Sequence, residues 1–74
     1  MDIKDVLMLS DGNKYVIASK IEYEYKIYLY LVDIEDSQNT QIGYLENDEI
    51  IIVEDKNIIR KLLPLLMKDV RNNF

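Results

Sequence analysis

The chain contains no cysteine and no histidine. Without them it has no imidazole general base, no thiol nucleophile and no disulfide, and it lacks the usual zinc and haem ligands. The few serine and threonine hydroxyls have no histidine to activate them. We therefore expect a protein that is not an enzyme, with no catalytic residues and no bound cofactor or metal.

Glycine and proline are also scarce, at two residues and one residue in a chain of 74. Gly12 and Gly43 are too far apart to form a phosphate-binding loop. No stretch has the composition of a linker, no segment repeats, and the length suits one domain. The sequence therefore predicts a single domain over residues 1–74.

Positive charge is in the minority, with nine basic against 14 acidic residues and a net charge of −5. This balance argues against a protein that binds a phosphate backbone, and it fits either solubility or a basic partner. The first residues, MDIKDVLMLSDG, do not have the pattern of a secretory signal, and the apolar runs are too short to span a membrane. We expect a cytoplasmic protein with no membrane partner.

Alternating apolar residues predict the strands. Residues 6–9 form a short apolar run that ends at Asp11-Gly12, a strong hairpin signal. Residues 15–23 alternate, with Tyr15, Ile17, Ser19, Ile21 and Tyr23 expected on one face. Residues 26–34 also alternate but are apolar on both faces, so this strand should be central and covered on both sides.

A turn near Glu24-Tyr25 should separate these two strands, because the tyrosines change from odd to even positions there. Residues 40–45 read as a strand whose register is broken at Gly43. The acidic turn at residues 46–48 leads to a β-branched run at residues 50–53, which predicts a buried strand.

A C-terminal helix is predicted from the change to helical spacing after Asp55, its expected N-cap. Its apolar residues cover an arc of about 200°, wide enough to suggest burial from two directions. Pro64 should kink the helix or divide it into two short helices, and residues 71–74 should fray. The predicted fold class is α+β: an antiparallel β-meander of four to five strands with one C-terminal helix packed on one face.

The tyrosines are the most unusual feature, since residues 21–36 hold four of the six. If the helix covers Ile27, Leu29 and Leu31, then Tyr28 and Tyr30 stand on the opposite face. Tyrosine is enriched in protein interfaces. The interaction candidates are Tyr28, Tyr30, Tyr44, Tyr15 and Tyr25. Cross-strand aromatic pairing within the sheet is an equally simple interpretation, and stacking of single-stranded bases is a third.

Two charged groups of residues have a functional and a simpler interpretation. The chain topology should bring Asp33, Glu35, Asp36, Glu54 and Asp55 to one edge, where they would form either a divalent-cation site or a solvated turn. On the helix, Arg60, Lys61, Lys68 and Arg71 share one face and would bind an anion or simply face water. We favour the solvated turn and the water-exposed face.

The order of these signals resembles a known family. Asp11-Gly12 precedes a strand with Tyr15, a Tyr- and Leu-rich strand covers residues 26–32, and an acidic loop follows. A short strand ending in acids at residues 42–48 and an apolar helical tail complete the pattern. It is similar to small acidic proteins of low-GC Gram-positive bacteria that are grouped as a domain of unknown function. This chain differs in being less acidic, in lacking glycine beside Tyr25 and in carrying Pro64. The resemblance implies a compact α+β domain and supplies no catalytic residues.

Three functional hypotheses follow. The first is a protein-interaction module that binds a partner protein or forms a homodimer through the tyrosine face or the helix. The second is a small acidic inhibitor, similar to an antitoxin and of a kind that phages encode, which occupies a basic site on a larger target. The third, which the acidic strands disfavour, is single-stranded nucleic-acid binding through the sheet.

Overall fold

The computed structural model describes residues 1–73 as a five-stranded antiparallel sheet with one helix against it, which confirms the predicted α+β meander. The strands follow one another in the sheet in the order in which they occur in the chain. No helix within these residues is long and apolar enough to cross a bilayer. The elements are β1 (Val6–Met8), β2 (Lys14–Tyr23), β3 (Lys26–Asp33), β4 (Thr40–Glu46), β5 (Glu49–Ile52) and α1 (Lys56–Asn73).

Two hairpins are closed by two-residue turns with left-handed backbone. The φ angles are 49° and 67° at Glu24 and Tyr25, and 51° and 66° at Asn47 and Asp48. Two consecutive positive φ values characterise the type I′ turn, whose twist matches that of the flanking strands. Asn and Asp adopt this conformation more readily than Glu and Tyr. The predicted turn at Glu24-Tyr25 is confirmed although it contains no glycine.

The central strand β3 is covered on both faces, as its apolar pattern predicts. On one face lies the inner core, defined by Tyr15, Ile17, Leu29 and Leu31, which partly buried residues of β1 and β5 complete. On the other lies the helix-side core, defined by Tyr28, Ile42, Val53, Leu62 and Leu66. The sheet therefore curls around the inner core, and α1 packs on the other face.

The helix does not cover the face of Ile27, Leu29 and Leu31, so the condition under which Tyr28 and Tyr30 would stand on the opposite face is not met. Leu29 and Leu31 belong to the inner core, Ile27 is 36% exposed, and the helix covers Tyr28. Because both faces of β3 are apolar, its alternation could not decide between them. The curvature of the sheet determines which face the helix covers. Because β1 and β5 fold over the inner face, only the other face is left for the helix.

Strand β2 changes face at a β-bulge. Ile17 pairs with Leu31 and Ser19 pairs with Tyr30, so Ala18 is the additional residue. The prediction that Tyr15, Ile17, Ser19, Ile21 and Tyr23 share a face is therefore wrong. A bulge shifts the alternation by one residue, and here it sends Tyr15 and Ile17 to the inner core and Ile21 and Tyr23 to the helix-side core.

The predicted break of register at Gly43 is also wrong, because β4 pairs regularly with both neighbours. A β-carbon built on Gly43 would lie 2.6 Å from Cγ2 of Ile50 and 3.6 Å from Cδ1 of Leu31. Glycine in a strand commonly marks such a close approach. Gly43 therefore lets β5 pack tightly over the inner core.

The helix is one continuous element with Pro64 inside it, so the alternative of two short helices is not realised. Pro64 has no N–H to donate to the carbonyl of Arg60. Both residues are exposed, so water can bond to that carbonyl instead. Only Leu62 and Leu66 are buried, while Ile58, Leu63 and Leu65 are 38–44% exposed. The helix is thus covered from one direction, not from two. It extends to Asn73, and the remaining residue of the predicted frayed end lies outside the described residues.

Candidate functional site

The tyrosines of β3 and β4 pack beneath the helix. Tyr28 is 6% exposed, and its ring meets that of Tyr44 edge-to-face, with centroids 6.1 Å apart and planes at 61°. Tyr30 and Tyr44 are partly buried against the helix-side core. The ammonium group of Lys26 lies 4.7 Å from the centre of the Tyr44 ring. This packing is that of cross-strand aromatic pairs that stabilise a sheet.

The other two predicted tyrosines lie elsewhere. Tyr15 is fully buried in the inner core, and its hydroxyl donates a hydrogen bond to Oδ2 of Asp11 at 2.7 Å and accepts one from Asn39 at 3.0 Å. The Asp11 hydrogen bond, together with burial, raises the pKa of Tyr15. Tyr25 is fully exposed at its turn. The five tyrosines therefore do not form one exposed surface.

The acidic residues predicted at one edge mostly organise the main chain. Oδ1 of Asp33 accepts hydrogen bonds from the backbone N–H groups of Glu35 and Asp36, at 2.8 and 3.3 Å, and Oδ2 accepts one from the Asn39 amide at 3.1 Å. The Glu35 N–H, with the Asn39 amide, holds the pKa of Asp33 below its usual range. These contacts are typical of a loop that is closed by its own side chains.

Asp55 caps the helix, as predicted: its Oδ1 accepts hydrogen bonds from the N–H groups of Asn57 and Ile58, at 2.8 and 3.4 Å. Glu54 is exposed. Within residues 1–73, no group of three or more acidic side chains is arranged to hold a metal ion. Asp33 and Asp55 thus each accept hydrogen bonds from main-chain N–H groups, Asp33 within a loop and Asp55 at the start of the helix.

A different feature, which the sequence did not indicate, is the open side of the sheet between its edge strands, β1 and β5. Both strands line one apolar groove of about 340 Å³. Because the sheet curls, its two edges face a common space instead of pointing apart. The lining residues include Leu7, Met8, Leu9, Glu49, Ile50 and Ile52. We call this groove, together with the two strand edges beside it, the open side.

Main-chain groups of β5 point into the open side. The N–H of Val53 donates to the carbonyl of Ile42, at 2.7 Å. Hydrogen-bonding direction alternates along an antiparallel strand, so Ile51 also bonds to β4 while Ile50 and Ile52 direct their N–H and C=O groups outward. Their side chains pack against the inner core. Each therefore presents an unpaired peptide group beside an apolar side chain.

Strand β1 forms the other edge in the same way. The N–H of Leu9 donates to the carbonyl of Asn13, at 3.0 Å, so alternation turns Leu7 toward β2 and the peptide groups of Val6 and Met8 outward. Val6 and Met8 are 55% and 62% exposed. Within residues 1–73 no further strand pairs with either edge. Nothing in the sequence marks the two edges as neighbours, because the curl that brings them together arises from packing.

Charge is divided between the sheet and the helix. Every acidic residue except Asp69 lies before the helix, whereas five of the nine basic residues lie on it: Lys56, Arg60, Lys61, Lys68 and Arg71. All five are exposed. Four of them form the stripe that the sequence predicts to face water: Arg60, Lys61, Lys68 and Arg71.

Asp69 turns inward, where it accepts hydrogen bonds from the hydroxyl of Ser19 at 2.8 Å, the backbone N–H of Lys20 at 3.1 Å and the amide of Asn73 at 3.0 Å. The Lys20 N–H is the main reason that the pKa of Asp69 is lowered. Asp69 therefore fastens the helix to β2, and the outer face of the helix keeps only positive charge.

Comparison with protein-family models, with curated protein sequences and with solved structures finds no match. The resemblance to the Gram-positive family stays a prediction.

Proposed function

We propose that this chain is a non-enzymatic protein-interaction module that binds an extended segment of a partner protein along its open side. The observation that supports this most directly is the groove itself, which combines an apolar floor with unpaired peptide groups on both rims. Addition of a strand to an exposed sheet edge is a recurrent mode of peptide recognition. Main-chain hydrogen bonds supply affinity in that mode, and pockets for alternate side chains supply specificity.

The dimensions of the two edge strands suit a receptor for a short segment. β1 has three residues and β5 has four. Short edges limit indiscriminate pairing between copies of a protein, a hazard that long flat edges carry. Each still offers two outward peptide groups, so a partner that also fills the groove gains apolar contacts that an accidental strand lacks.

Three other hypotheses remain beside this proposal. A homodimer would place the edge of a second copy in the open side, and it is the form of the proposal in which the partner is the chain itself. An acidic inhibitor of a larger protein is the alternative function, supported by the concentration of acidic residues before the helix. Single-stranded nucleic-acid binding is disfavoured, because Tyr28 is buried and Tyr30 is partly covered.

Peptide selection from a random display library, followed by mapping on the ¹⁵N-labelled protein, tests the proposal. We expect the selected peptides to shift the amide resonances of Val6, Met8, Ile50 and Ile52. Peptides that shift only helix resonances, or a selection without enrichment, would overturn it. Light scattering across a concentration series distinguishes the homodimer, because the 8.8 kDa chain would then double in mass.

A further inference from the structure

Strand β5 is apolar between two acidic ends. Asp48 and Glu49 lie at its start and Glu54 follows its end, and all three are exposed. No basic residue occurs between residues 46 and 55. Glu49 itself lines the groove. A strand that pairs with β5 therefore meets negative charge at both of its ends and apolar surface between them.

We propose that the partner of the open side is a basic extended segment that adds to β5 as an antiparallel strand. It has two apolar residues, separated by one residue, with lysine or arginine on either side of them. This inference rests on the proposed function and specifies its partner. The apolar pair is set by the outward peptide groups of Ile50 and Ile52, whose side chains line the groove two residues apart. In an antiparallel pair, the residues opposite them point their own side chains to the same face of the sheet.

The spacing of the basic residues follows from the register. Both strands of an antiparallel pair advance about 3.4 Å per residue. The positions opposite Glu49 and Glu54 therefore lie five residues apart on the partner, as Glu49 and Glu54 do on this chain. With the apolar residues opposite Ile50 and Ile52, a matching heptapeptide reads Lys-Thr-Ile-Thr-Ile-Lys-Lys. Its first lysine meets Glu54, and its last two meet Glu49 and Asp48. Both isoleucines enter the groove, and the threonines face away from it.

Charge should select among partners more strongly than it adds affinity. Exposed ion pairs contribute little individually, whereas like charges placed opposite one another repel. Replacing all three lysines by glutamate reverses three contacts at once, so we expect binding to weaken by at least about tenfold. The difference should shrink at high salt, because the contacts are solvent-exposed.

The test titrates the ¹⁵N-labelled protein with the lysine heptapeptide, its glutamate counterpart and a lysine version N-methylated at both isoleucines, each up to millimolar concentration. We expect the lysine peptide to shift Ile50 and Ile52 saturably, the glutamate peptide to bind at least about tenfold more weakly, and the methylated peptide not to bind. Methylation removes the amide hydrogens that a paired strand directs at β5.

A charge variant of the protein completes the test. Asp48→Asn, Glu49→Gln and Glu54→Gln together should abolish the preference for lysine over glutamate. Asparagine retains the left-handed conformation that residue 48 requires, so the fold should be kept.

The matched control is Glu22→Gln, Glu24→Gln and Glu35→Gln, which changes the net charge equally at exposed positions that do not line the groove. It should leave the preference intact. Equal binding of the lysine and glutamate peptides at Ile50 and Ile52 would overturn the basic partner but keep the proposed function. No shift at these residues with any peptide would overturn both.

Discussion

The substitution Gly43→Ala tests the tight packing on which the curl of the sheet depends. The new methyl group would lie 2.6 Å from Cγ2 of Ile50, whereas carbon atoms in favourable contact are about 3.5–4.0 Å apart. Cγ2 is bonded to the β-carbon, so it cannot move away by a simple rotation of the side-chain end. Relief therefore requires β5 to shift by about 1 Å, away from the inner core.

The magnitude combines two opposing effects. Overpacking of this kind costs about 1–3 kcal/mol. Replacing glycine by alanine returns about 0.4–1 kcal/mol by restricting the unfolded chain, since the φ angle at Gly43 is not positive. We expect a net loss of about 1–2 kcal/mol, which lowers the midpoint of thermal unfolding by about 5–15 °C in a domain of this size.

A double-mutant cycle with Ile50→Leu isolates the clash. Leucine keeps the volume of isoleucine but has no methyl branch at the β-carbon, so the double variant should lose about 1 kcal/mol less than the sum of the single variants. Gly12→Ala is the control, because a β-carbon there meets nothing within 4 Å and its cost comes from a φ of +83°. Urea unfolding measures the free energy of unfolding of the single variants, the double variant and the control. Strictly additive effects of Gly43→Ala and Ile50→Leu would show that the new methyl group does not clash with Ile50.

Three further predictions concern the helix and the helix-side core. Leu66→Ala should lower the free energy of unfolding by about 2–5 kcal/mol because Leu66 is fully buried, while Leu65→Ala should change it by less than about 0.5 kcal/mol; equal losses in urea unfolding would contradict the burial pattern. Tyr30→Ser should cost about 2 kcal/mol in the same assay, since the ring packs against the helix-side core, and an unchanged stability would restore Tyr30 as a free surface residue. Asp69→Asn should make the free energy of unfolding depend less steeply on pH in the acid range. A lowered pKa means that the native state binds fewer protons, so the contribution of Asp69 is present above its unfolded pKa and is lost as the pH falls through the folded value. Urea midpoints measured below about pH 4 should therefore fall more steeply in the wild type, and parallel profiles would contradict this.

The order of strands and the helix could be predicted because local signals specify them. Asp11-Gly12, the acidic turn before β5 and the Asp55 cap each act within a few residues. The covered face of β3 could not be predicted, because both of its faces are apolar and the choice depends on where β1 and β5 fold. The bulge at Ala18 has no marker in the sequence, yet it determines which tyrosines enter which core.

The candidate site was missed for a related physical reason. The interaction hypothesis was based on the tyrosine-rich strand. Tyrosine is, however, equally suited to a half-buried position beneath a helix. The open side is made of ordinary aliphatic residues such as Leu7 and Ile52, whose significance comes from unpaired peptide groups beside them. Main-chain exposure depends on tertiary curvature, which alternation patterns do not encode.

Amide hydrogen exchange in β5, measured on the dilute free protein, shows whether this edge of the sheet is open. We predict that the N–H groups of Ile50 and Ile52 exchange rapidly because they point into the open side. Those of Ile51 and Val53, which bond to β4, should be protected to nearly the full stability of the fold. Adding the lysine heptapeptide should then protect Ile50 and Ile52. Equal protection of all four amides in the free, dilute protein would mean that the edge is already covered and cannot accept a partner strand.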